Sequence, residues 1–492
     1  MHQPLGPYAC TDVSSEAVAA PTVTCERLLT YRSAAGRWVL LATVLGSALA
    51  AVDSTVVAIA LPAIGEDLDA SFAGLQWTVT GYTLTLASLV LLSGAAGDRL
   101  GRRRVFLVGV VWFTLASLLC AAAPTIGLLI VARVLQGVGG ALLTPASLSI
   151  LQASFVEADR GPAIGTWAGF SGVAGALAPL IGGWLLGLGS WRWVFLVNLP
   201  LAALVVAISL RHMPESVDRG ARGRVDWLGA ALTVALLGAA TYALIGQSWP
   251  AAGLAAAALV AFLGVERRVD DPLLPLDLFR IRQFSAVNAV TLVLYGPIAV
   301  FFFLLVVQLQ VVTGWTALAA GTATIPVTAI TLALSARSGA IAQRIGPRLQ
   351  LTAGPLLCAA AMLLSLRIGP TATYVGDVLP AVAVLGLGLA TLVAPLTATA
   401  LSAAPAEHAG LASGLNNALA RTAALLAIAA VPVAAGLTGD VFDDPAGFDQ
   451  GFGTAMVVCA ALFALGALLA AVAVEPPRLA APTDHRPESE AP

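Results

Sequence analysis

The residue with the clearest chemical potential is a single acid inside the first apolar run of the sequence. Asp53 has sixteen residues of the run 37–61 before it and eight after it. An isolated carboxylate at that depth costs at least about 2.5–3.5 kcal/mol on insertion scales, so it should face a cavity or a partner. Such a group can be protonated in one state and ionised in another, which predicts that Asp53 couples proton movement. A purely structural ion pair is the alternative.

The second candidate is Arg133, in the run 126–152. Arginine does not lose its proton in proteins, so Arg133 would hold a carboxylate or a water molecule rather than carry the proton itself. Gln136 follows three residues later and lies near the same helical face. We expect Arg133 to take part in proton coupling and Gln136 to lie in a polar cavity, with structural pairing as the alternative.

Further polar residues interrupt two later apolar runs. Asn417 and Arg421 lie four residues apart in the run 410–435, with Asn416 beside them, so they form a polar stripe that should point inward. Contact with a substrate and repair of helix contacts are both open for this stripe. Gln310, at the end of the run 284–309, is a further candidate for the cavity, with an interfacial role as the alternative.

Two glycine-rich segments predict helix packing and gating. The run 162–188 places small residues on one face, which favours a helix that slides or flexes against a neighbour, or one that packs tightly without moving: Gly165, Gly175, Pro179, Gly182 and Gly183. A compact charged turn follows the second run, and there we expect Asp98 to cap the next helix and the arginines to contact lipid phosphates or helix ends. Its residues are Gly94, Gly97, Asp98, Arg99, Gly101, Arg102 and Arg103.

The elements that position these residues follow from the composition. Of the 492 residues 59% are hydrophobic and 11% charged, with a mean hydropathy of +0.90. A soluble globule carries about 25% charged residues, so the chain is predicted to be an all-α membrane protein. The net charge of −2 gives no basic surface for nucleic acid. Fourteen apolar runs approach the roughly 20 residues that span a bilayer: 37–61, 75–96, 104–123, 126–152, 162–188, 192–210, 226–245, 250–266, 284–309, 316–336, 349–366, 376–401, 410–435 and 453–474.

The arginines set the expected orientation. With the N-terminus inside the cell, 21 of the 25 arginines fall on the cytoplasmic side and two, Arg192 and Arg367, fall outside. Because cationic loops resist translocation, we expect a multi-pass protein of the cell membrane with both termini in the cytoplasm. The histidines and cysteines lack metal-ligand spacing, so no metal, cofactor or catalytic residue is expected.

Two segments of the chain repeat. The segment 94–103 recurs as 339–348 at an offset of 245, and Val134-Leu135 with Pro145 recur as Val384-Leu385 with Pro395 at an offset of 250. Such repeats are typical of secondary transporters with a site between two halves. We therefore predict an N-terminal tail (1–36), a six-helix bundle (37–210), two linker helices with their loops (211–283), a second six-helix bundle (284–474) and a C-terminal tail (475–492).

These stretches resemble the signatures of the major facilitator superfamily, and specifically of its fourteen-helix drug:proton antiporters. The turn 94–103 is similar to the family's loop between helices two and three, and 133–139 to its fourth-helix signature, in which the arginine is implicated in proton coupling. Ala178-Pro179-Leu-Ile-Gly182-Gly183 resembles the antiporter signature of helix five, with alanine in place of one glycine. Asp53-Ser-Thr-Val-Val-Ala58 resembles the first-helix signature, with alanine in place of its asparagine.

The resemblance implies a major facilitator fold of two six-helix bundles plus two extra helices. It also implies a monomer that exports hydrophobic or cationic small molecules in exchange for protons by alternating access, as in multidrug efflux and antibiotic resistance. Two alternatives are an exporter or importer of a specific metabolite or lipid with the same fold, and a polytopic membrane enzyme. The connection around 267–283 offers three aspartates without histidine or cysteine, which disfavours the enzyme.

Overall fold

The computed structural model describes residues 28–217, 226–269, 272–404, 409–438 and 444–475. Fourteen helices in these ranges are long and apolar enough to cross a membrane, which confirms the predicted all-helical class and span number. In chain order they are α1 (Ala34–Leu68), α2 (Phe72–Leu100), α3 (Arg102–Ala122), α4 (Ile126–Ser154), α5 (Glu157–Leu186), α6 (Trp193–His212), α7 (Trp227–Ile245), α8 (Trp249–Glu266), α9 (Arg282–Val312), α10 (Ala317–Ile345), α11 (Pro347–Arg367), α12 (Tyr374–Ser402), α13 (Ala409–Ala434) and α14 (Pro445–Ala473).

Several helices begin before the apolar runs do, because polar side chains cap them. The Ser71 hydroxyl accepts a hydrogen bond from the Gly74 N–H, and α2 starts at Phe72 rather than at position 75. Asp444 caps α14 in the same way through the N–H of Gly447. Such caps satisfy N–H groups that lack a partner within the helix. The apolar runs in the sequence therefore predicted the part of each helix that crosses the hydrocarbon, but not the polar turns at the helix ends.

The helices pack as two groups with a hairpin at the side. We call α1–α6 the N-half and α9–α14 the C-half, since each group packs mainly on itself. The halves meet along two seams, one between α2 and α13 and one between α5 and α10. Helices α7 and α8 form a hairpin, and α7 packs against both α2 and α13. The hairpin therefore covers the outside of the α2–α13 seam.

The two repeated segments have matching local geometry. The Ser93 hydroxyl donates to the Ala141 carbonyl at 2.6 Å, and the Ser338 hydroxyl donates to the Thr391 carbonyl at 3.1 Å. These donors are 245 residues apart and these acceptors 250, the offsets found in the sequence. Gly101 and Gly346, also 245 apart, both have positive φ, of 106° and 84°. The sequence repeat thus corresponds to a repeat in the fold.

The described contacts between the halves extend furthest towards one end of the helices. We call this end the acidic face, because Glu66 and Asp67 end α1 there, and the other end the arginine-rich face, because Arg102–Arg104 begin α3 there. At the acidic end of α2, the Phe72 ring lies 5.7 Å from that of Phe303 and 6.1 Å from that of Phe448. In the α5–α10 seam, by contrast, the residues of α10 nearer the arginine-rich face are mostly exposed or half-buried.

Candidate functional site

The centre of the candidate site is an ion pair buried inside the N-half. Arg133 Nη1 on α4 lies 2.5 Å from Asp53 Oδ2 on α1, and each residue is 1% exposed. The opposite charges of the two side chains compensate each other where both are buried. Removing one partner of such a pair leaves an uncompensated buried charge. The structure therefore brings together the two residues predicted to couple protons.

Amide and hydroxyl groups complete the surroundings of Asp53. Its Oδ1 accepts hydrogen bonds from Gln136 Nε2 at 2.8 Å and from Asn198 Nδ2 at 3.0 Å. Both amides also donate to the Ser117 hydroxyl, at 2.9 and 3.2 Å. Gln136 Oε1 in turn accepts from Arg133 Nη1 at 2.6 Å. Side chains from α1, α3, α4 and α6 thus form one hydrogen-bonded network around this carboxylate.

Arg133 is fixed on its other side by α2. Its Nε donates to the Thr78 carbonyl at 3.1 Å, and its guanidinium carbon lies 4.4 Å from the centre of the Tyr82 ring. The ring face attracts the cation. The Tyr82 hydroxyl is buried without a hydrogen-bond partner in the described part of the chain. Tyr82 therefore covers the ion-pair network on the side of α2.

Glycines in α4 allow the neighbouring helices to come close enough for these contacts. A Cβ at Gly137 would overlap the Thr85 hydroxyl and the Tyr82 carbonyl of α2. A Cβ at Gly139 would lie 2.7 Å from the Phe113 backbone nitrogen of α3. Helix backbones pack this closely only where side chains are absent. Larger residues at these positions would move α2 and α3 away from the ion pair.

Three residues predicted to line a cavity are instead engaged inside the protein. Gln136 is 0% exposed and belongs to the network around Asp53. Asn416 is buried, and it donates to Asn288 Oδ1 at 3.1 Å and to the Thr291 hydroxyl at 2.9 Å, both on α9. Gln310 Nε2 donates to the Ile59 carbonyl at 3.1 Å and so links the two halves near the acidic face. The sequence pattern indicated that these residues point inward, but it did not show which groups they would contact.

Asn417 and Arg421 behave differently from Asn416. Asn417 is exposed, and Arg421 is half-buried. Arg421 Nε donates to Asn417 Oδ1 at 2.9 Å. This is the part of the predicted stripe on α13 that remains accessible.

The charged turn after α2 is held by a residue that the sequence interpretation missed. Asp98 does not cap α3, contrary to expectation, because it accepts two hydrogen bonds from Arg102 at 2.7 and 2.9 Å. Glu215, in the loop after α6, accepts from the Arg103 N–H at 3.1 Å and takes the capping role. Arg103 also donates to the Leu210 carbonyl at 3.0 Å, at the end of α6. Glu215 lies far away in sequence, and no local signal pointed to it.

The other residues of this turn lie where the sequence placed them. Gly94 and Gly97 lie in the last turns of α2, with Arg99 at its end. A Cβ at Gly94 would meet the Pro145 side chain of α4 at 3.9 Å, which is ordinary contact. Gly101 separates α2 from α3 with its φ of 106°.

The glycine face predicted on α5 packs at one end only. A Cβ at Gly182 would lie 3.2 Å from Val56 of α1, and one at Gly183 would overlap Leu318 of α10. Pro179 is buried nearby, and its carbonyl lies 3.0 Å from a Cβ placed at Gly321. Gly165 and Gly175 have nothing within 4 Å of an added Cβ. The end of α5 at the acidic face is therefore closed against α1 and α10, whereas the stretch towards the arginine-rich face is open.

Ser117 and Asn198 complete the network, although the sequence interpretation gave them no role in it. Each is a polar residue in an apolar run, and each is buried to 2% exposure or less. Polar groups in such runs must find partners, and that was the available signal. The sequence does not tell which helices meet at their depth, so the partner could not be identified.

Comparisons with known proteins fit this geometry. The family model of the Major Facilitator Superfamily matches residues 43–428. A tetracenomycin C resistance and export protein of Streptomyces glaucescens is 35% identical over 82% of this chain and 77% of its own length. A puromycin resistance protein of Streptomyces alboniger is 35% identical over 89% of this chain and 91% of its own.

Solved structures show the same fold. A bacterial homologue of the human lysosomal transporter Spinster, in an inward-facing and unoccupied conformation, superposes with a TM-score of 0.64. The sequences are 17% identical, and the match covers 90% of this chain and 97% of that one. At this identity the similarity concerns the fold alone. The arrangement of helices in this chain is that of known membrane transporters.

Proposed function

This chain belongs to the Major Facilitator Superfamily, and from that premise we propose that it is a proton-coupled exporter of hydrophobic small molecules. Its relatives at about 35% identity are antibiotic resistance and export proteins. The observation that carries the proposal is the Asp53 carboxylate, 1% exposed and bonded to Arg133, Gln136 and Asn198. It is a titratable group in a network to which four helices of the N-half contribute.

The orientation follows from the arginines. We place the arginine-rich face in the cytoplasm, in a cell membrane, with both termini on that side. The halves are in contact near the acidic face, where Gln310 reaches Ile59 and Phe72 reaches Phe303. The α5–α10 seam is open on the other side, around Gly165. The conformation is then inward-open, ready to receive substrate from the cytoplasm or the inner leaflet.

Protonation of Asp53 provides the coupling step. In the present state both carboxylate oxygens accept hydrogen bonds, one from Arg133 and one from Gln136. A proton on Asp53 removes the negative charge that Arg133 balances and weakens the attachment of α1 to α4 and α6. Proton and substrate then bias the two states in opposite directions, each by its differential affinity. The residues of the turn 94–103 and the packed glycines of α5 are proposed to control the movement between the states.

The energy available is sufficient for export. Moving one charge through 100 mV yields about 2.3 kcal/mol. At 1.4 kcal/mol per tenfold ratio, this supports about a fiftyfold concentration ratio for each proton. One proton-binding carboxylate per molecule is therefore enough for useful efflux.

The test is efflux by a strain that overproduces the full-length protein. We expect lower accumulation of tetracenomycin C than in a strain with the empty vector, and an uncoupler should abolish the difference. Asp53→Asn should remove at least about nine-tenths of the uncoupler-sensitive efflux, while Asp67→Asn, an acid in an exposed pair with Arg192, should retain it. If Asp53→Asn kept full uncoupler-sensitive efflux, Asp53 would not be the coupling group.

A further inference from the structure

Among the described residues, Arg421 is a charge well inside an apolar run that has no ion-pair partner. The sequence places one acid and two arginines well inside apolar runs: Asp53, Arg133 and Arg421. Asp53 is fully engaged by Arg133 and two amides. Arg421 makes none of the ion pairs found among the described residues. An uncompensated cation at such a depth is costly and marks a functional site by default.

The position of Arg421 on α13 is fixed by its neighbours along the helix. The Ile428 carbonyl accepts from Gln76 Nε2 on α2 at 2.8 Å, and a Cβ at Gly414 would lie 3.2 Å from Leu91 of α2. Arg421 lies halfway between these positions, seven residues from each, so it is on the same face of the helix. On α2, the point halfway between Gln76 and Leu91 is next to Tyr82, so Arg421 lies at the level of Tyr82. Arg421 therefore lies at the seam between the halves, with Tyr82 between it and the Asp53 network.

The position of Asn417 shows which side of α13 is accessible near Arg421. Asn416 marks the side of α13 that faces α9. Asn417 lies between that side and the α2-facing stripe, and away from α7, which packs on α13 through Leu237 and Leu425. Because α2 belongs to the N-half and α9 to the C-half, this sector lies between the two halves, and we take it to face the gap between them. Asn417 is exposed there and accepts the Nε–H of Arg421.

The guanidinium is thus oriented and still has unused donors. Of its five N–H groups, one is used by a described residue, in the bond to Asn417. The remaining donors include the pair of Nη groups, which match the two oxygens of a carboxylate. We propose that Arg421, positioned by Asn417, binds the acidic group of the transported compound, so that the preferred substrates are amphipathic organic anions. This inference rests on the proposed function and specifies its substrate class.

The charges around Arg421 argue against a cationic ligand in the same place. Arg421 would repel a positively charged ligand at the seam. The one acid at this depth, Asp53, is not offered to the gap, because Arg133 occupies it and Tyr82 stands between. The family resemblance implied hydrophobic or cationic substrates. Arg421 favours hydrophobic substrates that carry an acidic group and disfavours cationic ones.

Ligand binding to the purified full-length protein tests the proposal. Fluorescein serves as the organic anion and ethidium as the organic cation, and affinities are read from fluorescence anisotropy. We expect wild-type protein to bind fluorescein more tightly than ethidium. Arg421→Gln should weaken fluorescein binding about tenfold or more without weakening ethidium binding, because a charge-assisted pair is lost. Arg421→Lys, which keeps the charge but loses the paired donors, should weaken fluorescein binding less than Arg421→Gln does.

A matched control is Arg367→Gln, which removes an arginine of the C-half that pairs with Asp377 at 3.6 Å. It should leave both affinities unchanged. Tighter binding of ethidium than of fluorescein by the wild type, undetectable fluorescein binding, or an equal loss of both dyes in Arg421→Gln would each overturn the proposal. Binding needs no proton gradient, so this result is independent of whether Asp53 couples export to protons.

Discussion

The two halves of the molecule repeat the same backbone contacts around different interiors. Ser93 and Ser338 make equivalent hydrogen bonds to α4 and α12. At the offset of 250, however, Ala383 takes the place of Arg133 and Gly386 that of Gln136. At the offset of 245, Met362 takes the place of Ser117. The backbone contacts are thus repeated in both halves, whereas the residues of the buried ion-pair network are not repeated at the equivalent positions of the C-half.

The C-half has a neutral polar cluster in its own interior. Asn416 joins α13 to Asn288 and Thr291 of α9 without any charge. A neutral cluster can position helices, but it has no carboxyl group that a proton could switch. The comparison therefore supports the proposal that proton coupling belongs to the N-half, and it leaves Arg421 as the cation of the C-half that lies well inside an apolar run.

The strongest test of this difference is removal of the cation of the N-half pair. Arg133→Leu leaves Asp53 buried and unpaired, and we expect it to cost about 3–5 kcal/mol of stability and to abolish efflux. The measurements are the thermal unfolding midpoint in detergent and uncoupler-sensitive efflux. Adding Asp53→Asn to Arg133→Leu should recover at least half of the lost stability but no efflux. If Arg133→Leu lost less than about 1 kcal/mol of stability, the ion pair would contribute no more than an exposed pair does, which would contradict this account.

The difference between the halves also shows how far the sequence could lead. Asp53 and Arg133 were found because a charged residue in an apolar run needs a partner or a cavity, but only the packing of α1 against α4 showed that they pair with each other. Asn198 and Glu215 were missed, because their partners are 145 and 112 residues away and depend on which helices meet. The helix spans were predictable from hydropathy, and the capped polar ends, such as the start of α14 at Pro445, were not.

The neutral cluster of the C-half gives the second prediction. Asn416→Ala removes two hydrogen bonds and leaves Asn288 and Thr291 each without a donor, which should cost about 1–3 kcal/mol. Because no charge is involved, the dependence of efflux on the proton gradient should be unchanged once expression is matched. Thermal unfolding and efflux with graded amounts of uncoupler measure the two quantities. An altered gradient dependence would place coupling in both halves.

The repeated turns offer a smaller contrast. Gly101→Ala and Gly346→Ala both force alanine to a positive φ, at about 1–3 kcal/mol each. A Cβ at Gly101 would in addition lie 2.7 Å from the Glu215 carboxylate that caps α3. We expect Gly101→Ala to be the more destabilising by about 1 kcal/mol, read as a difference between unfolding midpoints. With Glu215→Ala as background the excess should vanish, and an excess that persists there would contradict this account of the cap.

The smallest expected effect is the one that should be equal in the two halves. Ser93→Ala and Ser338→Ala each remove one hydroxyl that donates to a carbonyl of the packed neighbouring helix. A neutral hydrogen bond contributes about 0.5–1.5 kcal/mol, so each variant should lower stability by that amount, with a difference of at most about 0.5 kcal/mol between them. Ser338 also accepts from Gln350 Nε2 at 3.0 Å, but that amide reaches the Ser338 carbonyl as well and keeps a partner. A clearly larger loss in one half would mean that the repeat has equal geometry but unequal energy, and the ion pair would then not be the only division between the halves.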